Sequence, residues 1–181
     1  MFNIQPKLEN DKAILYPLQA QDYEALYAVA ADPAIWEQHP NKDRWRKEVF
    51  QTFFTGALES KGAFLIIDKA TGQIAGSSRF YEYDEAQKSI AIGYTFYGTQ
   101  YWGKGLNPSV KGLMLNYAFQ FVDQVIFHVG ANNLRSQIAI ERVGAKKMGE
   151  LEITYYGEPP KLNFLYAIEK AAWQAKKNGA L

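Results

Sequence analysis

Residues 89–108 read SIAIGYTFYGTQYWGKGLNP and set a strand, a glycine loop and the start of a helix in direct succession. β-branched and aromatic residues fill 89–97, which favours a strand, and Gly98 closes it. Beyond the loop, apolar side chains recur at the three-and-four spacing of an amphipathic helix: Val110, Leu113, Met114, Tyr117, Ala118 and Phe121. We predict Asn107 as the N-cap of this helix and Pro108 in its first turn.

The loop between strand and helix suits an anionic group. A helix N-terminus presents unpaired N–H groups and a partial positive charge, and Gly103 and Gly105 let the backbone approach an anion without a Cβ in the way. A P-loop is disfavoured because Gly103-Lys104 is followed by Gly105 and Leu106, and not by Ser or Thr. A dinucleotide fingerprint needs glycine or alanine where Pro108 stands. The loop therefore predicts a diphosphate site of another class.

The arrangement Gln100-x-x-Gly103-x-Gly105 resembles the acyl-coenzyme A loop of the GCN5-related N-acetyltransferases, the GNAT family. Within it, residues 101–108 are most similar to the branch that contains the ribosomal-protein alanine N-acetyltransferases. A second signature of the family is also present, in the form of Asn133-x-x-Ser136 in a helix after a strand, followed by Gly144-Ala145. The resemblance covers about the whole chain.

The order of elements predicts an α/β (α+β) fold in a single domain over residues 1–181. We expect a mixed, mostly antiparallel sheet flanked by helices, with at least one strand-helix-strand crossover. Strands are predicted at 13–17, 63–67, 73–83, 89–97, 125–129, 152–156 and 162–168. Helices are predicted from about 22, 43, 107 and 133 onward and at 169–177, and the family resemblance implies the same order.

Composition limits the classes of partner. The chain has 48% hydrophobic and 15% aromatic residues, which argues against disorder. Twenty basic residues against 19 acidic ones give a net charge of +1 and no electrostatic case for nucleic acid or a membrane surface. No cysteine is present, so disulfides, thiolate metal sites and a cysteine acyl-enzyme are excluded. We expect a soluble cytoplasmic protein with no metal, and a homodimer stays open.

The resemblance implies acetyl-coenzyme A as a co-substrate. In the family, the glycine-loop amides hold the pyrophosphate, and the splayed strand before the loop pairs with the pantetheine amides. Carried over to this sequence, the coenzyme contacts are Tyr94, Thr95, Phe96, Gln100, Trp102, Gly103, Lys104, Gly105, Leu106, Asn133 and Ser136.

Direct acyl transfer from a thioester to an amine needs a neutral amine, a polarised carbonyl and a protonated leaving thiolate. By resemblance, Ser136 matches the serine near the thiolate and Asn133 the asparagine at the coenzyme arm, although both also suit an ordinary helix N-terminus. The glutamate that related enzymes often place before the Gly-Tyr pair is Ala91 here. Glu82 is our candidate for the missing base, with three alternatives, Asp84, Glu37 and His39. We expect His128, inside an apolar strand, to be a core residue.

Four residues are predicted to contact the acceptor amine: Trp36, Glu37, His39 and Arg79. The acceptor is a peptide or protein N-terminus or a small-molecule amine. Two other functions remain open at this point. One is a non-catalytic acyl-coenzyme A binding or sensing module, because the usual glutamate is absent. The other is an enzyme that uses the glycine loop for ATP or NAD, against which the missing nucleotide motifs count.

Overall fold

The computed structural model describes residues 2–179 and is built on one eight-stranded sheet. The strands are β1 (Leu8–Glu9), β2 (Ala13–Pro17), β3 (Ala63–Asp68), β4 (Ile74–Asp84), β5 (Ser89–Tyr97), β6 (Gln124–Gly130), β7 (Lys146–Thr154) and β8 (Pro160–Glu169). Their order in the sheet is β1-β2-β3-β4-β5-β6-β8-β7. β5 and β6 pair in parallel, and the other neighbours are antiparallel. The predicted mixed, mostly antiparallel sheet is confirmed.

Five helices flank this sheet in the described part of the chain: α1 (Tyr23–Ala30), α2 (Lys47–Glu59), α3 (Leu106–Ala118), α4 (Leu134–Val143) and α5 (Lys170–Lys177). α3 joins β5 to β6 and is the predicted crossover. Between residues 2 and 179, no helix is both long and apolar enough to span a membrane.

The sheet separates two apolar cores. Because side chains alternate along a strand, β3 sends Phe64 and Ile66 into one core and Leu65 into the other. The first core contains the inner faces of α3 and α4, and the second contains those of α1 and α2. The sheet is therefore covered on both faces. A ligand can enter it where neighbouring strands part.

Such a gap opens between β5 and β6. Their parallel pairing covers only Ser89 with Gln124, Ile90 with Val125 and Ala91 with Ile126. Past these pairs β6 stays bonded to β8 as far as Gly130, while β5 stays bonded to β4 through an irregular stretch. The edge of β5 that faces β6 is thus without a strand partner over 92–97, next to the glycine loop.

Two predicted helix starts are wrong. α3 begins at Leu106 with Gly105 as its N-cap, so Asn107 is already helical. The left-handed Gly105 (φ 79°) turns the chain directly into the helix, and Pro108 still falls in the first turn. α2 begins at Lys47 and not near 43, because 42–46 form turns.

Two strands were not predicted at their full extent. β1 spans only Leu8–Glu9, which is too short to leave a periodic pattern. β7 begins at Lys146, six residues before the predicted 152, since its first half is polar and largely exposed. An edge strand needs few apolar residues, which explains the weak signal.

Candidate active site

A cavity of about 770 Å³ occupies the gap between β5 and β6. Its wall is formed by the glycine loop and the first turns of α3, by the far halves of β5 and β6, by the start of α4, and by the loop between α1 and α2. This volume falls within the range of small-molecule and cofactor sites. Most of the predicted site residues lie on or near this wall.

The glycine loop forms one end of the cavity. Gly103 (φ 71°) and Gly105 (φ 79°) both have left-handed backbones, which side chains disfavour. Trp102, Gly103 and Gly105 line the cavity, and the Trp102 indole N–H donates to the Tyr97 carbonyl at 3.2 Å. Apart from Gly103 and its two neighbours in the chain, no atom of residues 2–179 lies within 4 Å of where a Cβ on Gly103 would stand. The loop therefore leaves open space above its backbone at the N-terminus of α3.

Three other predicted loop contacts do not form part of the cavity wall. Gln100 and Lys104 are exposed, and Leu106 is buried in the core beneath the loop. The Gln100 side chain packs so closely on Gly98 that a Cβ there would lie 2.6 Å from its amide oxygen. Gln100 thus has a structural contact within the loop.

β5 lines the cavity at a bulge. Ser77 pairs with Phe96 and Arg79 with Gly93, so Tyr94 and Thr95 together face a single residue of β4. Tyr94 has a φ of 52°, which is costly for a residue with a side chain and is typical of functional sites. Tyr94, Thr95 and Phe96, all predicted coenzyme contacts, line the cavity.

Lys111, which sequence analysis did not select, lies under this bulge. Its ammonium group donates to the Thr95 hydroxyl at 2.6 Å, and the Thr95 hydroxyl lies 2.8 Å from that of Ser78. Burial lowers the pKa of Lys111 to about 7. The residue lies on α3 beside apolar Val110, and a lysine there carries no sequence signal that distinguishes it from a solvated one.

Asn133 and Ser136 lie at the opposite wall, at the start of α4. The Asn133 side-chain oxygen accepts from the Ser136 backbone N–H at 3.1 Å, so the predicted cap is confirmed. Both residues line the cavity. Neither the Asn133 side-chain N–H group nor the Ser136 hydroxyl has a hydrogen-bond partner among residues 2–179. Asn133 can therefore cap α4 with its side-chain oxygen and donate its side-chain N–H group to a ligand.

A tyrosine and a histidine meet in the cleft. Tyr81 Oη lies 2.9 Å from His128 Nδ1, and both residues line the cavity. Burial lowers the pKa of His128, and the Glu82 carboxylate, 4.0 Å from Nδ1, raises it in part. Glu82 itself is largely exposed and does not line the cavity. The side chain of His128 is buried, as expected, but its ring also forms part of the cavity wall, which was not expected.

Of the predicted acceptor contacts between α1 and α2, only His39 lines the cavity. Burial, followed by the charges of Arg44 and Arg135, lowers the pKa of His39 to about 3. Glu37 is exposed and lies off the wall. Trp36 is fully buried and its indole N–H donates to the Ala30 carbonyl at 2.8 Å, which leaves no surface for an acceptor. The contact predicted for Trp36 is therefore not supported.

Two buried arginines, Arg44 and Arg79, lie beside Tyr94. Arg44 lines the cavity and binds the Glu158 carboxylate through Nε and Nη2, at 3.0 and 2.9 Å. Arg79 lies deeper, with its guanidinium 3.9 Å from the ring centre of Tyr94, and does not reach the main cavity. Arg44 was not among the predicted site residues. Its partner lies 114 positions further along the chain, so no local pattern could reveal the pair.

No group of three or more His, Asp or Glu residues is placed to hold a metal ion between residues 2 and 179. Comparison with curated protein sequences gives no match.

Among solved structures, the chain is similar to a GCN5-related N-acetyltransferase from Brucella melitensis, with a TM-score of 0.83, 21% identity and coverage of 96% of this chain and 83% of that one. It is similar to the spermidine N-acetyltransferase from Vibrio cholerae in complex with CoA and spermine (TM-score 0.69, 15% identity, coverage 91% and 99%). It is also similar to the ribosomal-protein-S5-alanine acetyltransferase from Vibrio fischeri (TM-score 0.67, 15% identity, coverage 93% and 99%). At these identities the similarity concerns the fold.

Residues 12–146 match the model of the GNAT acetyltransferase domain. This match spans most of the chain and includes β5, the glycine loop and α4. Together with the parted parallel strands and the cavity between them, it shows that the chain belongs to the GNAT acetyltransferase family.

Proposed function

We propose that the protein is an N-acetyltransferase that moves an acetyl group from acetyl-coenzyme A directly to a primary amine in a ternary complex. The observation that carries this proposal is the continuity of the cavity, which runs from the α3 N-terminus to the Tyr81–His128 pair. The α3 N-terminus can bind a diphosphate, and the Tyr81–His128 pair can accept a proton.

Coenzyme binding is assigned to main-chain groups. The amides around Trp102, Gly103 and Gly105 would hold the pyrophosphate, with the positive end of α3 behind them. The β5 edge at 92–97, which β6 leaves without a partner, would bond the amides of the pantetheine arm. Asn133 would add its side-chain N–H group from the other wall.

The thioester carbonyl would be polarised at the bulge. An N–H group of Tyr94 or Thr95 would donate to the carbonyl oxygen, and the Lys111 ammonium would hold the Thr95 side chain in place. As the amine attacks, negative charge grows on this oxygen, and a fixed donor stabilises that charge more than it stabilises the ground state.

The proton of the attacking amine is assigned to His128. In the reactive tautomer, Nδ1–H donates to Tyr81 and Nε2 has the lone pair. The lowered pKa keeps the ring neutral at pH 7, and the Glu82 carboxylate stabilises the imidazolium once it forms. His128 thereby takes the place of the glutamate that is missing at Ala91.

Atoms and charge balance over the transfer. The amine nitrogen bonds the carbonyl carbon, the C–S bond breaks and His128 takes one amine proton. The thiolate receives a proton from the Ser136 hydroxyl, which regains one from solvent as His128 releases its own. The products are an N-acetylated amine and free coenzyme A. The acceptor class follows the family branch: a peptide or protein N-terminus, as in the ribosomal-protein alanine enzymes, or a small-molecule amine.

A thermal-shift titration tests the coenzyme assignment. We expect acetyl-coenzyme A and coenzyme A, at about 100 times their dissociation constants, to raise the melting temperature by roughly 5 to 10 °C. ATP and NAD should not. Gly103→Glu should abolish the shift, because it puts a carboxylate and a strained backbone at the anion site, whereas the same change at Gly149 has open space around it and should not. Binding without acetylation of any amine would instead favour a non-catalytic binding module.

A further inference from the structure

The charged side chains that line the cavity are all basic. Arg44, Arg135 and Arg142 line it together with Lys111, whose pKa burial lowers to about 7, and among residues 2–179 no aspartate or glutamate does. An enzyme for polycationic amines would be expected to present carboxylates to its substrate, because unlike charges within a few ångströms attract. The acceptor for this cavity should therefore differ from a polyamine.

Part of this positive charge belongs to the coenzyme end. The Arg135 guanidinium lies 3.9 Å from the ring centre of Trp102 in the glycine loop, close to the assigned pyrophosphate site. Arg142 extends from the same helix, α4. The phosphates of a bound coenzyme would compensate the charge of Arg135, but they would not reach the acceptor end behind Tyr94.

At the acceptor end, Arg44, Arg79 and Glu158 form a buried charge cluster. These three side chains line one small internal pocket together with Tyr94 and Tyr155, and those two tyrosines also line the main cavity. Two guanidinium groups against one carboxylate leave one positive charge uncompensated. Arg79 Nε has no hydrogen-bond partner, and neither has the second carboxylate oxygen of Glu158.

The hydrogen bonds of Arg44 to Glu158 leave one of its donor groups free. Arg44 uses Nε and Nη2 for Glu158, and its Nη1 has no partner among the described residues. Of the three cluster members, only Arg44 lines the main cavity, so its unpaired Nη1 is the candidate donor to an acceptor. His39 lines the same cavity, and its pKa is lowered first by burial and then by the charges of Arg44 and Arg135.

We propose that the acceptor is an amine that also has an anionic group, a carboxylate or a phosphate, and that Arg44 binds this group with Arg79 strengthening the field behind it. The inference rests on the proposed acetyl transfer and names its substrate class. The same field disfavours the protonated amine, so it helps to supply the neutral nucleophile that the reaction needs.

Matched pairs of acceptors test the proposal on the intact protein. Alanine is compared with alaninamide for the carboxylate, O-phosphoethanolamine with ethanolamine for the phosphate, and spermidine serves as the polycation. We expect the anionic member of at least one pair to have a kcat/KM about tenfold or more above that of its neutral partner, and spermidine to be the poorest acceptor. The pair that shows the difference identifies the anion.

Variants assign the effect to the cluster. Arg79→Met should reduce the ratio of kcat/KM for the anionic acceptor to that for its neutral partner, mainly through KM, while Arg79→Lys should restore most of this ratio. Arg44→Met is made together with Glu158→Met, so that no lone carboxylate is buried, and should abolish the preference. Lys47→Met removes an exposed positive charge and is the matched control.

The outcomes separate the two proposals. Equal use of both members of each pair, or a preference for spermidine, overturns the acceptor class and leaves acetyl transfer intact. If no amine is acetylated, thermal shifts of the coenzyme A complex are compared for N-acetylalanine against N-acetylalaninamide and for N-acetyl-O-phosphoethanolamine against N-acetylethanolamine. A larger shift with the anionic member of either pair retains the anion site and rejects turnover, and equal or absent shifts in both pairs reject the anion site.

Discussion

The hydroxyl oxygen of Tyr81 lies 2.9 Å from Nδ1 of His128, although the two residues belong to strands that are separated by β5. The tyrosine side chain spans that middle strand at Gly93, where a Cβ would lie 3.0 Å from both Cε1 and Oη of Tyr81. The absence of a side chain at Gly93 therefore makes room for the contact. The gap between β5 and β6 then exposes the histidine ring to the cavity.

His128→Gln should lower kcat by about a hundredfold or more, because a positioned general base contributes about 10² to 10⁴ to the rate. Tyr81→Phe keeps the ring and removes only the hydroxyl, so a smaller loss, of about tenfold, is expected. Acetyl-coenzyme A affinity, measured by thermal shift, should stay unchanged in both. An unchanged kcat in the His128 variant would exclude this histidine as the base.

Gly93→Ala should lower kcat by about tenfold without unfolding the protein. The added methyl group pushes the far end of the Tyr81 ring away from His128, and overpacking of this kind costs about 1–3 kcal/mol of unfolding free energy. Gly149→Ala, at a strand glycine with no neighbour within 4 Å, is the control. The value of kcat and the unfolding free energy in urea are measured for both variants. Equal kcat values in the two variants would show that Tyr81 does not position the histidine.

The acid limb of the kcat–pH profile should fall below the ordinary histidine value of 6.5, because burial lowers the pKa of His128. Activity should be lost as the pH falls through this limb, since the base must be unprotonated. Glu82→Gln removes the charge that raises the pKa, so the limb should move to lower pH. A limb that stays in place in this variant would contradict the assignment of Glu82.

Asn133→Asp and Asn133→Ala should separate the two roles of this residue. The aspartate keeps an oxygen for the Ser136 N–H group, so the unfolding free energy should change little, whereas alanine should cost about 1 kcal/mol. Both lose the side-chain N–H donor, so both should bind coenzyme A more weakly. Full affinity in the aspartate variant would restrict Asn133 to helix capping.

Glu158→Gln should lower the unfolding free energy by about 3–5 kcal/mol, because it leaves Arg44 buried without its carboxylate partner. Their side chains are only 3% and 7% exposed, so solvent compensates little. The double variant with methionine at both positions should recover part of the loss. Urea denaturation measures all three proteins, and a double variant no more stable than the single one would contradict a charge-based penalty.

Local sequence patterns predicted the elements that form one face of the site. The glycine loop, the amphipathic α3 and the Asn133 cap each depend on residues within a few positions, and each lies close to where it was expected. The start of α3 was misplaced because Asn107 is an attractive cap in sequence, while the left-handed Gly105 takes that role in space.

The contacts that sequence reasoning missed join residues that are distant in the chain. Tyr81 and His128 are 47 positions apart, and Lys111 on α3 reaches the Thr95 hydroxyl on β5. Their residue types are common in strands and helices for other reasons, so only the pairing of β4, β5 and β6 brings them together. Trp36 shows the opposite error, because a large aromatic in a loop suggested a ligand contact and instead fills the core.

The parting of β5 from β6 has a kinetic consequence. Each strand is held in place by its other neighbour, so the slot between them exists before any ligand arrives. A ligand that bonds to the free edge of β5 takes the place of a neighbouring strand there. Its entry therefore requires no large rearrangement of the sheet. Association should then proceed at the rates typical of preformed sites, and differences in affinity among acyl donors should arise from how slowly they leave.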